Sequence, residues 1–425
     1  MSVFETHQRE KIETLLKKTG FDAVEDGIVK YLFERGFLLK EGTDEYRRVQ
    51  LAFGQQHYRT DTLQLILLAS EDCNFRCNYC YEDFTRGTMQ PWVRAGIKKL
   101  VESRARTLRS FSVSWFGGEP LYGMPAIEDL APFFAETVQS HGIAFSCHMT
   151  TNGYLLTPAV ASRLLAWDIR HFQITVDGPQ EFHDKSRPGR DGSGTFSTIF
   201  ANLVEMRRRS ENFQIDLRIN FDRNNAPHLT ELLDCLEAEF TADRRFRIRF
   251  RPVGRWGGEN DENLEVCGSI DANQIQLEMR SEAIRRGLSV TEDLRDIRGM
   301  GSQVCYAARP YNFIIGSAGK VMKCTIDLDK QERNIVGQLT EDGELVLEAD
   351  KLALWTEPAF ERDSQCRKCV VLPACSGIHC PQVRLDYNRS PCTPVRRNFK
   401  AEMRQTVRVL GDSARRRTVS AIERP

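Results

Sequence analysis

An α/β fold, a partial (β/α)6 barrel too short to close, is predicted for the middle of this 425-residue chain. Three observations predict it. From residue 63 onward, short apolar runs alternate with amphipathic helical patterns in six successive units. Parallel strands with right-handed crossovers are the economical packing of such units, and six fall short of the eight that close a barrel. Ten of the thirteen cysteines gather in one loop after the first run and in one C-terminal region. The chain therefore divides into an N-terminal helical module (1–60), the partial barrel (61–290), a Cys-rich extension (291–395) and an Arg-rich helical tail (396–425).

Composition narrows the function. Lys plus Arg and Asp plus Glu both number 59, so no net field draws the chain to nucleic acid or an anionic membrane. The first residues lack the apolar core of a signal peptide, and no run approaches the ~20 apolar residues of a spanning helix. A cytoplasmic protein is expected, and in a reducing compartment its thiols read as metal ligands rather than disulfides. Cys147 and Cys235 read as small core residues. Cys267, in a Gly-rich acidic connection, stays open.

In chain order, Ile12, Leu15, Leu16 and then Ile28, Val29, Leu32, Phe33 have helical spacing. Phe37-Leu38-Leu39 and the polar turn Glu41-Gly42-Thr43 follow, which together suggest two helices and a short strand pair. This module reads as a helical cap on the barrel or, as the family resemblance given below implies, as a holder of a peptide. The six strands are expected at 63–69, 111–116, 144–150, 172–177, 214–221 and 246–253. The site is expected at their C-terminal ends.

The stretch Glu71-Asp-Cys-Asn-Phe-Arg-Cys-Asn-Tyr-Cys-Tyr-Glu-Asp83 places Cys73, Cys77 and Cys80 in the loop after strand one, with Tyr79 just before the last thiol. Four thiolates would close a zinc tetrahedron or saturate a four-iron cluster, whereas three leave one iron free. Strand two ends in Trp115-Phe116-Gly117-Gly118-Glu119-Pro120, whose glycines permit close backbone approach and whose Glu119 can accept from an ammonium. Strand three ends at Thr150-Thr151-Asn152-Gly153 and strand four at Thr175-Val176-Asp177-Gly178. These polar groups suit a ribose and a carboxylate, or merely Asx-type turns at Asn152 and Asp177. On strand five, Arg218 and Asn220 point the same way by alternation.

These features resemble the radical S-adenosylmethionine (SAM) enzymes. The resemblance implies a 4Fe-4S cluster on Cys73, Cys77 and Cys80, with SAM chelating the free iron. It further implies SAM contacts from Tyr79, Gly117, Gly118, Glu119, Asn152, Thr175, Asp177, Arg218 and Asn220. The Gly-Gly-Glu segment would hold the amino group. The segment from Gln180 to Pro188, with its Gly-rich continuation to Phe196, resembles the loop found there in peptide- and sulfatase-modifying members.

Seven thiols follow the sixth unit. Cys305, thirteen residues, Gly319, four residues and Cys324 precede Cys366, Cys369, Cys375, Cys380 and Cys392. This spacing resembles the SPASM extension of the same enzymes and implies two auxiliary 4Fe-4S clusters, making three in all. One would use Cys366, Cys369, Cys375 and Cys392, and the other Cys305, Cys324 and Cys380. Two departures stand out. Four residues (376–379) separate Cys375 from Cys380 where the family has three, and no thiol lies in 297–304 to complete the second set. Either Cys267 folds back or one iron stays open. Gly316 to Met322 reads as a hairpin turn feeding a strand that carries Cys324. The arginines from Arg396 to Arg417 read as a solvated helix face or an acidic-peptide contact.

The resemblance implies a peptide-modifying oxidoreductase: a 5′-deoxyadenosyl radical abstracts hydrogen from a precursor peptide or protein side chain, typically to form a crosslink. A flavodoxin or ferredoxin would supply electrons. The alternative within the family is the anaerobic sulfatase maturase, which carries an acidic residue where Thr325 follows Cys324. The alternative from another class is a non-catalytic scaffold with zinc in the Cys sites.

Overall fold

Strand β1 (Thr62–Ser70) is buried on both faces and is the pivot of the sheet. Its Leu63, Leu65, Leu67 and Ala69 enter the main core, while Ile66 and Leu68 join a smaller cluster with Ile314, Met322 and Leu328. A strand apolar on both faces belongs inside a sheet. β1 duly lies between β2 (Ser110–Gly117) and β7 (Asn312–Ile315), parallel to both. The computed structural model describes residues 14, 27–34, 38–291, 302, 304–328, 331–358, 360, 363–377, 379–388, 392–393, 396, 399–401 and 404. Ile12, Leu15, Leu16, Phe37, the stretch 297–301 and Arg397, Arg408 and Arg415 to Arg417 lie outside the described residues.

β3 (Ala144–Thr151), β4 (His171–Thr175), β5 (Gln214–Phe221) and β6 (Phe246–Pro252) extend the sheet in parallel and in chain order. All six strands begin and end within two residues of the expected runs. Helices return the chain between them, with local signals at their ends. The helix Met124–His141 stops at Gly142, whose φ of 64° is a left-handed cap, and Pro158–Ala166 starts where Thr157 accepts from Val160 N. Along the strands, apolar residues face these helices. Ser112, Ser146, Gln173, Asp216, Arg218, Arg247 and Arg249, all half-buried, alternate with them on the opposite face.

The sheet does not end with the barrel. Beyond β7 run β8 (Lys320–Met322), β9 (Ile335–Leu339) and β10 (Leu345–Leu347), each antiparallel to its neighbour, giving ten strands in the order β10-β9-β8-β7-β1-β2-β3-β4-β5-β6. The Cys-rich extension thus grows out of the barrel's own first strand. The expected hairpin at 316–322 joins β7 to β8. Gly319 turns it at φ 77°, where a Cβ would lie 2.5 Å from Trp92.

In the N-terminal module, helices Gly27–Glu34 and Glu45–His57 are present. The expected strand pair is not seen among the described residues of 38–61, because Asp44 accepts from Arg47 N and caps a helix there. That helix packs Val49 and Phe53 against Val304, Ala308, Phe360 and Leu372. Its Phe53, Gln56 and His57 also line a cavity of about 540 Å³ with the N-terminal ends of β1, β2 and β3. The module therefore sits at the strand ends opposite the cysteine loop. Cys147 is buried as expected, but Cys235 is exposed, because Leu232, Leu233 and Leu236 take the inner face of its helix. No helix among the described residues is long and apolar enough to cross a membrane.

Candidate functional site

The loop carrying Cys73, Cys77 and Cys80 leaves the C-terminal end of β1 and is held on three sides by the ends of its neighbours. Gly117 and Gly118 let β2 lie against it: a Cβ on Gly117 would stand 2.0 Å from Ser70 O, and one on Gly118 2.6 Å from Asp72 O. Gly118 N donates to Ser70 O and Glu119 N to Asp72 O. The close approach these glycines allow is thus to the cysteine loop itself. On another side, Arg76 N donates to Pro188 O, Asn78 N to Ser186 O and Arg190 N to Asn74 O, so the 186–190 segment pairs with the loop.

Glu119 is fully buried, and its carboxylate accepts from Leu121 N (3.0 Å), Thr151 Oγ1 (2.7 Å) and Asn152 N (2.8 Å). Three of about four acceptor positions are therefore taken, and the group expected to meet an ammonium chiefly ties β2 to β3. Burial pushes its pKa up, against those three donors. Asn152 forms the Asx turn and also braces the cysteine loop. Its Oδ1 accepts from Tyr154 N in an Asx turn, while its Nδ2 donates to Asn74 Oδ1 (2.7 Å) and lies 3.9 Å from Cys73 Sγ.

The Tyr79 hydroxyl is the hub of a second, buried network. It donates to Asp177 Oδ2 and accepts from Arg187 Nη1 (2.6 Å) and Asn220 Nδ2 (3.1 Å). The other Asp177 oxygen accepts from Asn220 N (2.8 Å), and Asp177 N donates to His183 Nδ1 (3.1 Å). Arg218 Nε donates to Asn220 Oδ1 (2.7 Å), in keeping with their shared face on β5. Burial raises Asp177 while Arg187 opposes it. In Arg187 itself, burial disfavours the charge, but Cys77, Tyr79 and Asp177 hold it on. Tyr79, Asp177 and Asn220, with Asn78, Asn225 and Val253, border a cavity of about 340 Å³ at the strand ends. Thr175 is buried at the end of β4, opposite Arg218 in register.

Arg187 and His183 were not singled out from the sequence. Their only signal was their place in the loop after strand four, since a buried arginine looks like a surface one until its partners are known.

Cys73 is buried, and burial pushes its thiol and that of Cys77 up, with Cys80 reaching about 12. Thiols so placed ionise only beside strong positive charge, which a bound metal supplies. Four of the seven C-terminal thiols are gathered in one place. Cys366, Cys369, Cys375 and Cys392 line one small cavity with Val371, Leu372 and Arg396, whose Nη1 lies 3.0 Å from Cys392 Sγ. Burial lifts Cys305 to about 11 and Cys324 to about 12; Cys380 acts on the first and Cys305 on the second. Cys267 stands apart, lining a surface pocket with Arg223 and Arg255. Among the described residues, no three His, Cys, Asp or Glu side chains close on a single metal ion. The fit to larger clusters rests on the grouping and burial of these thiols. Thr325 N and Oγ1 both bond the Tyr306 hydroxyl (2.9 and 2.7 Å), so no acidic group stands directly after Cys324.

Comparison with known proteins bears on the same region. Residues 67–222 match the Radical SAM superfamily. The radical SAM cyclopropyl synthase TigE of Paramaledivibacter caminithermalis is 23% identical over 209 residues, 44% of this chain and 42% of that protein. Mycofactocin maturase MftC of Mycobacterium tuberculosis is 29% identical over 185 residues, 43% of each chain. The matched part thus spans less than half the length of either relative. The solved structure of native anSMEcpe with bound AdoMet and Cp18Cys peptide has the same fold. It superposes with a TM-score of 0.63 at 19% identity, covering 84% of this chain and 99% of that one.

Proposed function

We propose that this chain, which carries a radical SAM domain over residues 67–222, is a peptide-modifying oxidoreductase that crosslinks a ribosomally made precursor. When bound on Cys73, Cys77 and Cys80, a 4Fe-4S cluster supplies the electron that cleaves SAM to methionine and a 5′-deoxyadenosyl radical, which takes hydrogen from the substrate. The observation that carries the reading is the convergence of buried Cys73 and half-buried Cys77 and Cys80 with the ends of β2 to β5 in one crevice.

Within that crevice the protein's own groups hold and orient. Gly117 to Glu119 fix the loop's entry, Asn152 braces Cys73, and the Tyr79–Asp177–Arg187 network sets the backbone between Cys77 and Cys80. SAM would lie in the cavity beside Tyr79, whose lining includes Asn220 and Asp177. Two auxiliary clusters would be held by Cys366, Cys369, Cys375 and Cys392, and by Cys305, Cys324 and Cys380. A peptide substrate draws support from the maturase MftC and from anSMEcpe, which was solved with a peptide; the crosslinking outcome rests on the resemblance of the cysteine pattern alone. Thr325, bonded to Tyr306, offers no base for formylglycine formation.

The test is anaerobic incubation with SAM and a strong reductant, followed by addition of a small peptide encoded beside this protein. The expected products are 5′-deoxyadenosine and a peptide lighter by about two hydrogens. An iron-free, zinc-loaded protein that leaves SAM intact would overturn the proposal.

A further inference from the structure

The resemblance assigns Cys305, Cys324 and Cys380 to one cluster, and no other cysteine is placed to complete it. Cys147 lies in the core of β3, Cys235 is exposed on its helix, and Cys267 faces Asp222, Arg223 and Asp271. The remaining four thiols line their own cavity. A four-iron cube held there by thiolates alone would keep one iron without a protein ligand.

We infer that Asp327 supplies that fourth ligand through its carboxylate. The residue follows Cys324 by three positions, and its side chain is 9% exposed. One oxygen, Oδ1, accepts from Gln382 Nε2 at 2.7 Å, which orients the group from the segment just after Cys380. The other, Oδ2, is fully buried and has no hydrogen-bond partner. The nearest cation, Arg333, stands 3.7 Å from Oδ2 and gives its hydrogen bond to Asp386 instead. A buried carboxylate oxygen left this way is costly, and metal coordination is one of the few means of satisfying it. Asp327 lies three residues after Cys324, and its partner Gln382 lies two residues after Cys380, so the carboxylate is tied to the segments that carry two of the thiols.

The consequence is chemical. A carboxylate is a harder ligand than a thiolate and is held less firmly by iron in a sulfur-rich site. The cluster would be closed at rest and openable at one iron, where a substrate thiolate could displace Asp327.

This inference rests on the auxiliary-cluster reading, and the experiment separates the two. In a Cys73→Ala/Cys77→Ala/Cys80→Ala background, reconstituted protein should hold about eight irons from two cubes. Adding Cys305→Ala should remove about half of them; unchanged iron and sulfide would overturn the cluster reading itself. Asp327→Asn, which keeps the volume and the contact to Gln382, should retain iron when reduced. On mild oxidation it should lose the iron that lacks a ligand, giving a three-iron electron paramagnetic resonance signal absent from the parent. Asp327→Cys should suppress that signal and shift the reduced spectrum. Identical spectra for the parent and Asp327→Asn, with cluster content intact, would overturn the assignment of Asp327.

Discussion

The two cysteine regions of this protein solve the same problem by opposite means. At the barrel, three thiols come from eight consecutive residues, and the loop is fixed by the backbone of β2, by Asn152 and by the 186–190 segment. In the extension, seven thiols come from 88 residues, on turns beside short elements such as the four-residue helix Leu372–Cys375. Protein hydrogen bonds shape the first site before any metal arrives. The second draws its ligands from turns and short helices far apart in sequence, so metal binding should provide much of its folding free energy. Under the proposed function, a preformed site would suit a cofactor that must be met by exchangeable SAM, and a metal-stapled one would suit auxiliary clusters that stay put.

The sharpest way to break that contrast is to remove one thiol from each region. Cys77→Ala should abolish 5′-deoxyadenosine formation while leaving the barrel folded, whereas Cys366→Ala should leave SAM cleavage measurable but abolish peptide modification. Loss of SAM cleavage in both, with the barrel cluster intact, would mean that the regions are not separable. Chelation of all iron is the next largest perturbation. In limited proteolysis of the metal-free protein, cuts should concentrate in 302–404 while the span 62–253 survives, and equal protection of both would refute the metal-stapled reading.

A third test stays within the barrel. Arg187 is buried against Tyr79, Asp177 and Cys77, so Arg187→Met leaves Asp177 buried without its cation. Removing one partner of a buried pair costs about 3–5 kcal/mol. The variant's urea midpoint should fall accordingly, and a partial rescue is expected from the double change with Asp177→Asn. A midpoint unmoved by Arg187→Met would show that protein hydrogen bonds do not hold this loop.

How much of this was legible beforehand follows from where the information lies. The six barrel strands could be read because each alternates or runs apolar over five to nine residues, long enough for a period to show. β7 could not: its four residues are all buried, and nothing in so short a run says that it pairs with β1 some 250 positions away. The three-thiol loop was plain because its ligands are local in sequence. By contrast, the bonds from Glu119 to Thr151 and from Arg187 to Tyr79 join residues 32 and 108 positions apart. Asp327 is an ordinary loop acid until its burial and its orphaned oxygen are known.

The smallest expected effect probes the seam between the regions. His57, at the end of helix Glu45–His57, stacks on Phe53 with ring centroids 4.3 Å apart and meets Thr356 O at 3.3 Å, joining the N-terminal module to the extension. Burial holds its pKa down at about 4, with Arg309 and Lys323 adding to the effect against the Thr356 bond. The folded protein therefore keeps this ring neutral at pH values where the unfolded chain, titrating near 6.5, binds a proton. Stability from this group is complete above about pH 6.5 and is lost as pH falls toward 4, by up to about 3 kcal/mol. The urea midpoint should decline over that window in the parent and decline less in His57→Leu, which fills the same apolar space without titrating. If both proteins lose stability with the same slope, acid acts elsewhere and the seam does not depend on a neutral His57.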